Sequence, residues 1–338
     1  MRFGVLVNHE YPKSDDLELR IDELIQMAET ARDLGYQSLF GFQHYLGSLA
    51  TLQPLPVLAR LIPHTGDMRV GTAVYLTMEN PVQMAENWST IDRLSGGRLI
   101  LGLGTGYRQN EFDVFGIDKK TRWPRLFETI ELLKALWTGE EVNHRGRFFT
   151  VEGEKLSLKP RQEPHPPIWL GASDERRIRQ VAEHADSWIV APNVKFRWAE
   201  GHLKYYKEAL EEQGADTVDR DYTIIRELSI ADTDEEAYAQ ADASIRHEYY
   251  SYAAFGDHWK TMYEDLREKA FLFGSPETVA RKLNNYVEAG FTEFIFRFSW
   301  AGMSVETSLG SLRRFMEEVA PQFQEAQIAA QRPAESER

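Results

Sequence analysis

The sequence predicts a closed parallel α/β barrel, a (β/α)8 or TIM barrel with insertions, formed by residues 1–323 of 338 as one domain. Three observations lead there. Eight short apolar runs alternate with eight helical stripes, which is the pattern of repeated strand–helix units. The fourth run, 98–103, is continuously apolar after its first residue and suits a strand covered on both faces. Leu34-Gly35-Tyr36 and Ala289-Gly290-Phe291 each close a helix and lead into a strand by the same short step, a faint internal echo.

Taken in order, residues 3–8 form strand one, and a polar loop with His9, Glu10, Pro12 and Asp15 follows. Leu17, Ile21, Leu24, Ile25, Ala28, Ala31 and Leu34 recur at helical spacing until Gly35 stops them. Strand two is 38–42 and ends at Gln43, His44 and Tyr45; a less regular helical stretch at 56–61 precedes strand three, 68–76. Asn80 caps the next helix, Pro81 fits its first turn, and Gly96 and Gly97 end it before strand four. Leu126, Ile130, Leu133 and Trp137 make the following stripe, and 144–160 reads as a hairpin turning at Gly146 and Gly153. Strands five, six and seven are 167–170, 188–190 and 222–230, with helical stripes through Ile178 and Val181, through Leu203, Tyr206 and Leu210, and over 234–246. The aromatic-rich stretch 247–274 is irregular. Ser275 and Pro276 then start the helix that carries Val279, Leu283 and Tyr286, strand eight is 293–298, and Leu312, Phe315, Met316 and Val319 lie on the last helix. Insertions therefore fall near 107–123, 141–160 and 247–274, and 324–338 reads as a polar, frayed tail.

Composition narrows the chemistry. With 42% hydrophobic and 12% aromatic residues the chain can bury a barrel-sized core. Its 53 acidic and 39 basic side chains leave a formal charge of 39 − 53 = −14, which disfavours nonspecific binding to nucleic acid or to an anionic membrane. No cysteine is present, so disulfides, thiolate metal sites and thiol nucleophiles drop out. No apolar stretch approaches the roughly 18 residues of a membrane span, and the simplest reading is a soluble cytoplasmic protein.

In such a barrel the ligand site lies at the C-terminal ends of the strands. Gly104, Thr105 and Gly106 follow strand four and would let a ligand approach the backbone, with Tyr107, Arg108, Asn110 and Glu111 offering polar contacts. Gly102-x-Gly104-x-Gly106 is not a dinucleotide fingerprint, because its third glycine would have to be residue 107, which is Tyr. Alternatively, those glycines serve packing at the barrel mouth. Gly171-Ala172-Ser173 ends strand five where a helix begins; it is either a phosphate cradle with Arg176 or Arg177 nearby, or Ser173 is an ordinary N-cap. His44 is either a hydrogen-bond or proton donor at the mouth or a structural histidine. The histidines are scattered without metal-ligand spacing, so no metal is expected, and neither a nucleophile elbow nor a P-loop occurs. The aromatic stretch 247–274 is either a lid over the mouth or a dimer contact.

Val70-Gly71-Thr72-Ala73-Val74, Asn80-Pro81-Val82, Ser95-Gly96-Gly97-Arg98, Glu111-Phe112 and Phe115-Gly116 together resemble the bacterial luciferase-like, flavin-dependent oxidoreductases, whose barrel is shared with F420-dependent reductases. Gln43-His44-Tyr45, residues 167–173 and residues 274–279 extend the resemblance from Arg2 to about Phe323. It implies a flavin ring over Ala73 and Val74, where a peptide is often cis, a phosphate near Ala172 and Ser173, Thr105, Gly106 and Tyr107 along the cofactor's other side, and proton transfer at His44. The chain departs from luciferases where they have Glu-His-His and it has Gln43-His44-Tyr45, and where they have Arg and it has Thr105. The expected activity is a monooxygenase using reduced FMN from a separate flavin reductase, with O2 and a small organic substrate, in a homodimer. The alternatives are F420-dependent hydride transfer and flavin binding without turnover.

Overall fold

A computed structural model describes residues 1–218, 220–251 and 258–323. The tail at 324–338, and Tyr252 and Phe255 of the aromatic stretch, lie outside the described residues. Eight strands form the barrel: β1 (Arg2–Leu6), β2 (Ser38–Gly41), β3 (Arg69–Leu76), β4 (Leu99–Gly104), β5 (Ile168–Gly171), β6 (Ser187–Val190), β7 (Thr223–Ile230) and β8 (Glu293–Arg297). Each pairs in parallel with the next, and β8 returns to β1, so the sheet closes. All eight lie within two or three residues of the runs read from sequence.

Capping chemistry explains why the helices start where they do. Asp16 accepts from the Glu18 and Leu19 amides ahead of Leu17–Asp33, Asn80 accepts from Val82 ahead of Pro81–Leu94, and Ser275 accepts from Thr278 ahead of Pro276–Ala289. Gly290, at φ 102°, ends the last of these in the left-handed conformation that glycine adopts at little cost.

Side chains alternate across each strand, which divides them between two cores. Leu6, Phe40, Ile100, Trp169, Ile189, Ile225 and Ile295 fill the barrel interior. Their neighbours Val5, Leu39, Leu99, Leu101, Ile168, Ile224, Phe294 and Phe296 face outward into the layer shared with the helices. The mouth side chains continue the inward phase: Phe42 follows Phe40, Glu227 follows Ile225, and Arg297 follows Ile295.

Strand β3 breaks that regularity. Its register against β4 shifts between Thr72 and Tyr75, and the Ala73–Val74 peptide is cis, as the resemblance implied. A side chain at Gly102 would overlap the Thr72 carbonyl oxygen, and one at Gly104 would stand 2.5 Å from Val74 Cγ2. These two glycines therefore make room for the irregular backbone of β3, the packing alternative, and the space above Gly104 is occupied by Val74.

Three expectations change. The stretch 247–274 is not irregular where it is described: Asp234–Ser251 continues as one helix past 246, a second helix covers His258–Lys269, and Leu272–Gly274 pairs with the upper end of β7. Ala237, Ala241, Ile245 and Tyr249 form a buried stripe at four-residue spacing, and the dense aromatics around it hid that period. The hairpin is Val142–Arg145 with Thr150–Glu154, and Gly153 lies within its second strand instead of at a turn. Asp174, not Ser173, caps the helix Glu175–His184, because the Asp174 side chain reaches the Arg177 amide.

Candidate active site

Strand β1 runs out into Asn8, His9 and Glu10, and the mouth is assembled around them. Glu10–Tyr11 pairs with Ala50–Thr51, which brings the segment after β2 back over the end of β1. Glu10 Oε1 lies 2.8 Å from His44 Nδ1 and accepts from Thr51 Oγ1 at 3.3 Å. Burial would push the Glu10 carboxyl up, but the His44 imidazole, then the Arg108 guanidinium and His9, override it and hold it down at about 2. Glu10 is thus a carboxylate at neutral pH. It accepts from the Nδ1–H of His44, so Nε2 is the nitrogen that gains or loses a proton.

His9 stands behind this pair, fully buried and stacked on Phe42 with ring centroids 4.4 Å apart. Its Nε2 accepts the Phe42 amide hydrogen at 3.0 Å, so the ring is neutral with its hydrogen on Nδ1. Burial pushes its pKa down to about 4, with Glu10 pulling the other way. The unfolded chain binds a proton at His9 below about 6.5, whereas the folded chain does so only near 4. Stability is therefore complete above 6.5 and falls as pH drops toward 4, by about 1.4 kcal/mol per pH unit at most. Thermal melts at pH 7 and pH 5 are expected to show a smaller drop for His9→Gln than for wild type; equal drops would remove His9 as the source.

The loop that carries His44 is held by side chains from other elements. Gln43 donates its amide hydrogen to the Val74 carbonyl at 3.1 Å, and its Oε1 accepts from the Leu76 amide at 2.9 Å. Its Nε2 donates to Tyr45 Oη and to Gln53 Oε1. Gln53 Nε2 donates to the His44 carbonyl at 3.1 Å, and the Tyr45 amide donates to Glu111 Oε1 at 2.8 Å. Next in the chain, Leu46 sits at φ 53°, a region non-glycine residues seldom occupy unless neighbours enforce it.

Past β4, Thr105 and Gly106 are half-buried; Gly106 adopts a positive φ of 75°, which favours glycine, and a side chain there would also press on Met78. Tyr107 is 39% exposed, with its ring edge-on to His44 at 6.2 Å and the Arg108 guanidinium 5.7 Å from its centroid. Arg108 itself is buried. Of the residues expected at the site, His44 and Tyr107 therefore meet directly. Ala73 and Val74 pack with the barrel-interior cluster, and Val74 lies against Gly104 and Gly171, linking β4 to the end of β5.

The helix that follows the loop with Ala172 and Ser173 carries Arg176 and Arg177. The Ala172 carbonyl accepts from Trp188 Nε1 at 3.0 Å, and Ser173 is exposed. Burial and the neighbouring guanidiniums of Arg176 and Arg122 push the Arg177 guanidinium down, against Asp174, and Arg177 packs over the Trp123 ring at 4.9 Å.

A second buried cluster lies at the ends of β7 and β8, around Arg297 and Trp300, and its partners Glu227 and Glu248 belong to no local motif in the sequence. Arg297 donates to both oxygens of Glu227, at 2.7 and 2.8 Å, and to Glu248 Oε1. Trp300 Nε1 and Tyr249 Oη also donate to Glu227, and the Ala301 amide donates to Glu248. Arg297 lies 6.0 Å from the Phe42 ring centroid, so Phe42 joins this cluster to His9 and His44. The available signal was a charged residue at an inward position of a barrel strand, as Glu227 is two residues after Ile225 in β7.

Residues 1–293 match the sequence profile of the family described as luciferase-like monooxygenase. The chain belongs to that family. It is an enzyme, an oxidoreductase whose relatives use flavin or the deazaflavin F420. It is 26% identical to the oxygenase component of flavin-dependent trigonelline monooxygenase from Acinetobacter baylyi, over 97% of each chain. It is 25% identical to F420-dependent glucose-6-phosphate dehydrogenase from Amycolatopsis mediterranei, over 81% of this chain and 87% of that one. Monooxygenase RslO1 from Streptomyces bottropensis has the same fold, with a TM-score of 0.86 at 21% identity over 96% of this chain and 100% of the other. Among the described residues no helix is long and apolar enough to cross a membrane.

Proposed function

We propose that this enzyme is an FMN-dependent monooxygenase, which takes reduced flavin from a separate flavin reductase and acts with O2 on a small organic substrate. The observation that carries this reading is the Glu10–His44 pair at 2.8 Å, set at the mouth beside Tyr107 and Phe42. Likeness to a two-component oxygenase along nearly the whole of both chains supports FMN over F420.

The residues present fit a flavin nucleotide. Ala73 and Val74 offer an apolar floor within the barrel-interior cluster, and Thr105, Gly106 and Tyr107 border it from β4. Ala172 and Ser173 precede the helix that carries Arg176 and Arg177, whose guanidiniums would serve a phosphate. Reduced flavin, when bound, supplies the electrons with which O2 is activated.

The chain's own residues orient, shield and move protons. Glu10, ionised across the neutral range, keeps the His44 ring in the Nδ1–H tautomer and fixes its orientation. His44 Nε2 then takes up or releases one proton per turnover at the site. Phe42 and Tyr107 provide aromatic surface that keeps water off the reacting region.

F420-dependent hydride transfer is the second reading, favoured by the likeness to the glucose-6-phosphate dehydrogenase. Spectral titration of the purified protein with reduced FMN and with F420 separates the two, followed by oxygen uptake with NADH and a flavin reductase. Trigonelline is the first compound to assay. Binding of F420 without FMN, or oxygen uptake that no substrate changes, would overturn the proposal.

A further inference from the structure

The mouth contains a carboxyl group that the reading above leaves without a role. Glu111, on the short helix Gln109–Val114, is only 1% exposed, yet it lies in the segment after β4 where a surface loop would suffice. Its Oε1 accepts the Tyr45 amide hydrogen at 2.8 Å and stands 3.9 Å from Arg108 Nη1. Its Oε2 is buried with no hydrogen-bond partner among the described residues. A buried carboxyl is costly, and here it is spent on one backbone amide, the one that follows His44.

We propose that Glu111 is a positioning residue for His44, acting through the Tyr45 amide that its Oε1 holds. The inference rests on the reading of His44 as the proton-handling residue. The peptide groups around His44 are taken by two side chains and one backbone carbonyl: its own carbonyl by the Gln53 side chain, the following amide by Glu111, and the preceding Gln43 amide by the Val74 carbonyl. Glu10 fixes the ring, and these contacts fix the backbone from which the ring hangs. Leu46, at φ 53°, lies two residues on, so the loop is held in a conformation it would not favour unaided. A ring that must stay within about 0.5 Å of its productive position needs such support. Burial pushes the Glu111 carboxyl up, against the Tyr45 amide and Arg108, so a neutral amide is a suitable replacement that keeps the acceptor.

A double-mutant cycle reads the proposal, using steady-state turnover of the whole enzyme with its reductase. Glu111→Ala is expected to lower kcat at least tenfold with KM for reduced FMN within threefold, while Glu111→Gln recovers most of the loss. In a His44→Ala background, Glu111→Ala is expected to add less than twofold, because a residue that acts through His44 has nothing left to position. Gln53→Leu, which releases the His44 carbonyl, is expected to show the same absorption and serves if Glu111→Ala does not fold. An undiminished loss in the His44→Ala background, a raised KM at constant kcat, or failure of Glu111→Gln to rescue would overturn the inference while leaving His44 in place. A silent His44→Ala would instead show that the reading of His44 itself had failed, and this inference would fall with it.

Discussion

Replacing His44 by Ala is expected to lower turnover by about 10²–10⁴-fold, the usual contribution of a positioned acid–base group. The size follows from the geometry. His44 is the imidazole at this mouth that pairs with an ionised carboxylate, Glu10 at 2.8 Å, and Glu10 is held at about 2 by its cationic neighbours. Glu10→Gln keeps a hydrogen-bond acceptor for Nδ1–H and so keeps the ring oriented. Its loss should therefore be smaller. His9 does not substitute, because its Nε2 is committed to the Phe42 amide and its pKa is pushed down to about 4 by burial. Steady-state rates from pH 5 to 9 for the three proteins check this, with flavin affinity measured separately. If His44→Ala turned over within threefold of wild type, proton transfer would have to be assigned elsewhere.

The largest stability effect is expected next to the Glu10–His44 pair, at the ends of β7 and β8. Arg297→Leu should destabilise the fold by about 3–5 kcal/mol, the cost of leaving a buried charge without its partner. Glu227 and Glu248 are both wholly buried, and Arg297 is the guanidinium that neutralises them. Burial, with Glu10 and Glu227 nearby, already pushes the Glu248 carboxyl up despite Arg297. Without the guanidinium the Glu248 carboxyl would be pushed up further and bind its proton more tightly in the folded than in the unfolded chain, so the variant should lose stability as pH rises. Denaturation midpoints at pH 5.5 and pH 8 are expected to separate further for Arg297→Leu than for wild type. An unchanged midpoint at both pH values would mean that the network carries no stability. The same cluster joins the helix Asp234–Ser251 to β7 and β8, so the variant should also loosen the aromatic layer of Tyr249, Tyr263, Phe271, Phe273 and Trp300.

Much of this architecture was legible before any coordinates. Parallel strands buried on both faces appear as apolar runs, so β1 to β8 could be placed by eye, and their order put His44, Thr105 to Arg108 and Ser173 at one end of the barrel. The helix Asp234–Ser251 was cut short because Tyr249 and Tyr250 belong to a dense aromatic stretch in which helical spacing is hard to see. Asp174 was passed over as a cap because Ser173 and Asp174 are both good N-cap residues, and only the backbone decides which one faces the Arg177 amide. Gly102 and Gly104 were ambiguous for a related reason: a glycine tells that a side chain is absent, not what fills the space.

What the sequence determined by itself was the succession and phase of the strands, because apolar alternation is a property of near neighbours in the chain. It thereby named the loops that reach the mouth. Only the tertiary structure decided which of their side chains pair. Glu10 meets His44 across 34 positions, Arg297 meets Glu248 across 49, and it meets Glu227 across 70. Contacts at that separation depend on barrel closure, on the register of β7 with β8, and on the displaced backbone of β3. A hydrogen bond forms or fails within a few tenths of an ångström, and no local pattern carries that information.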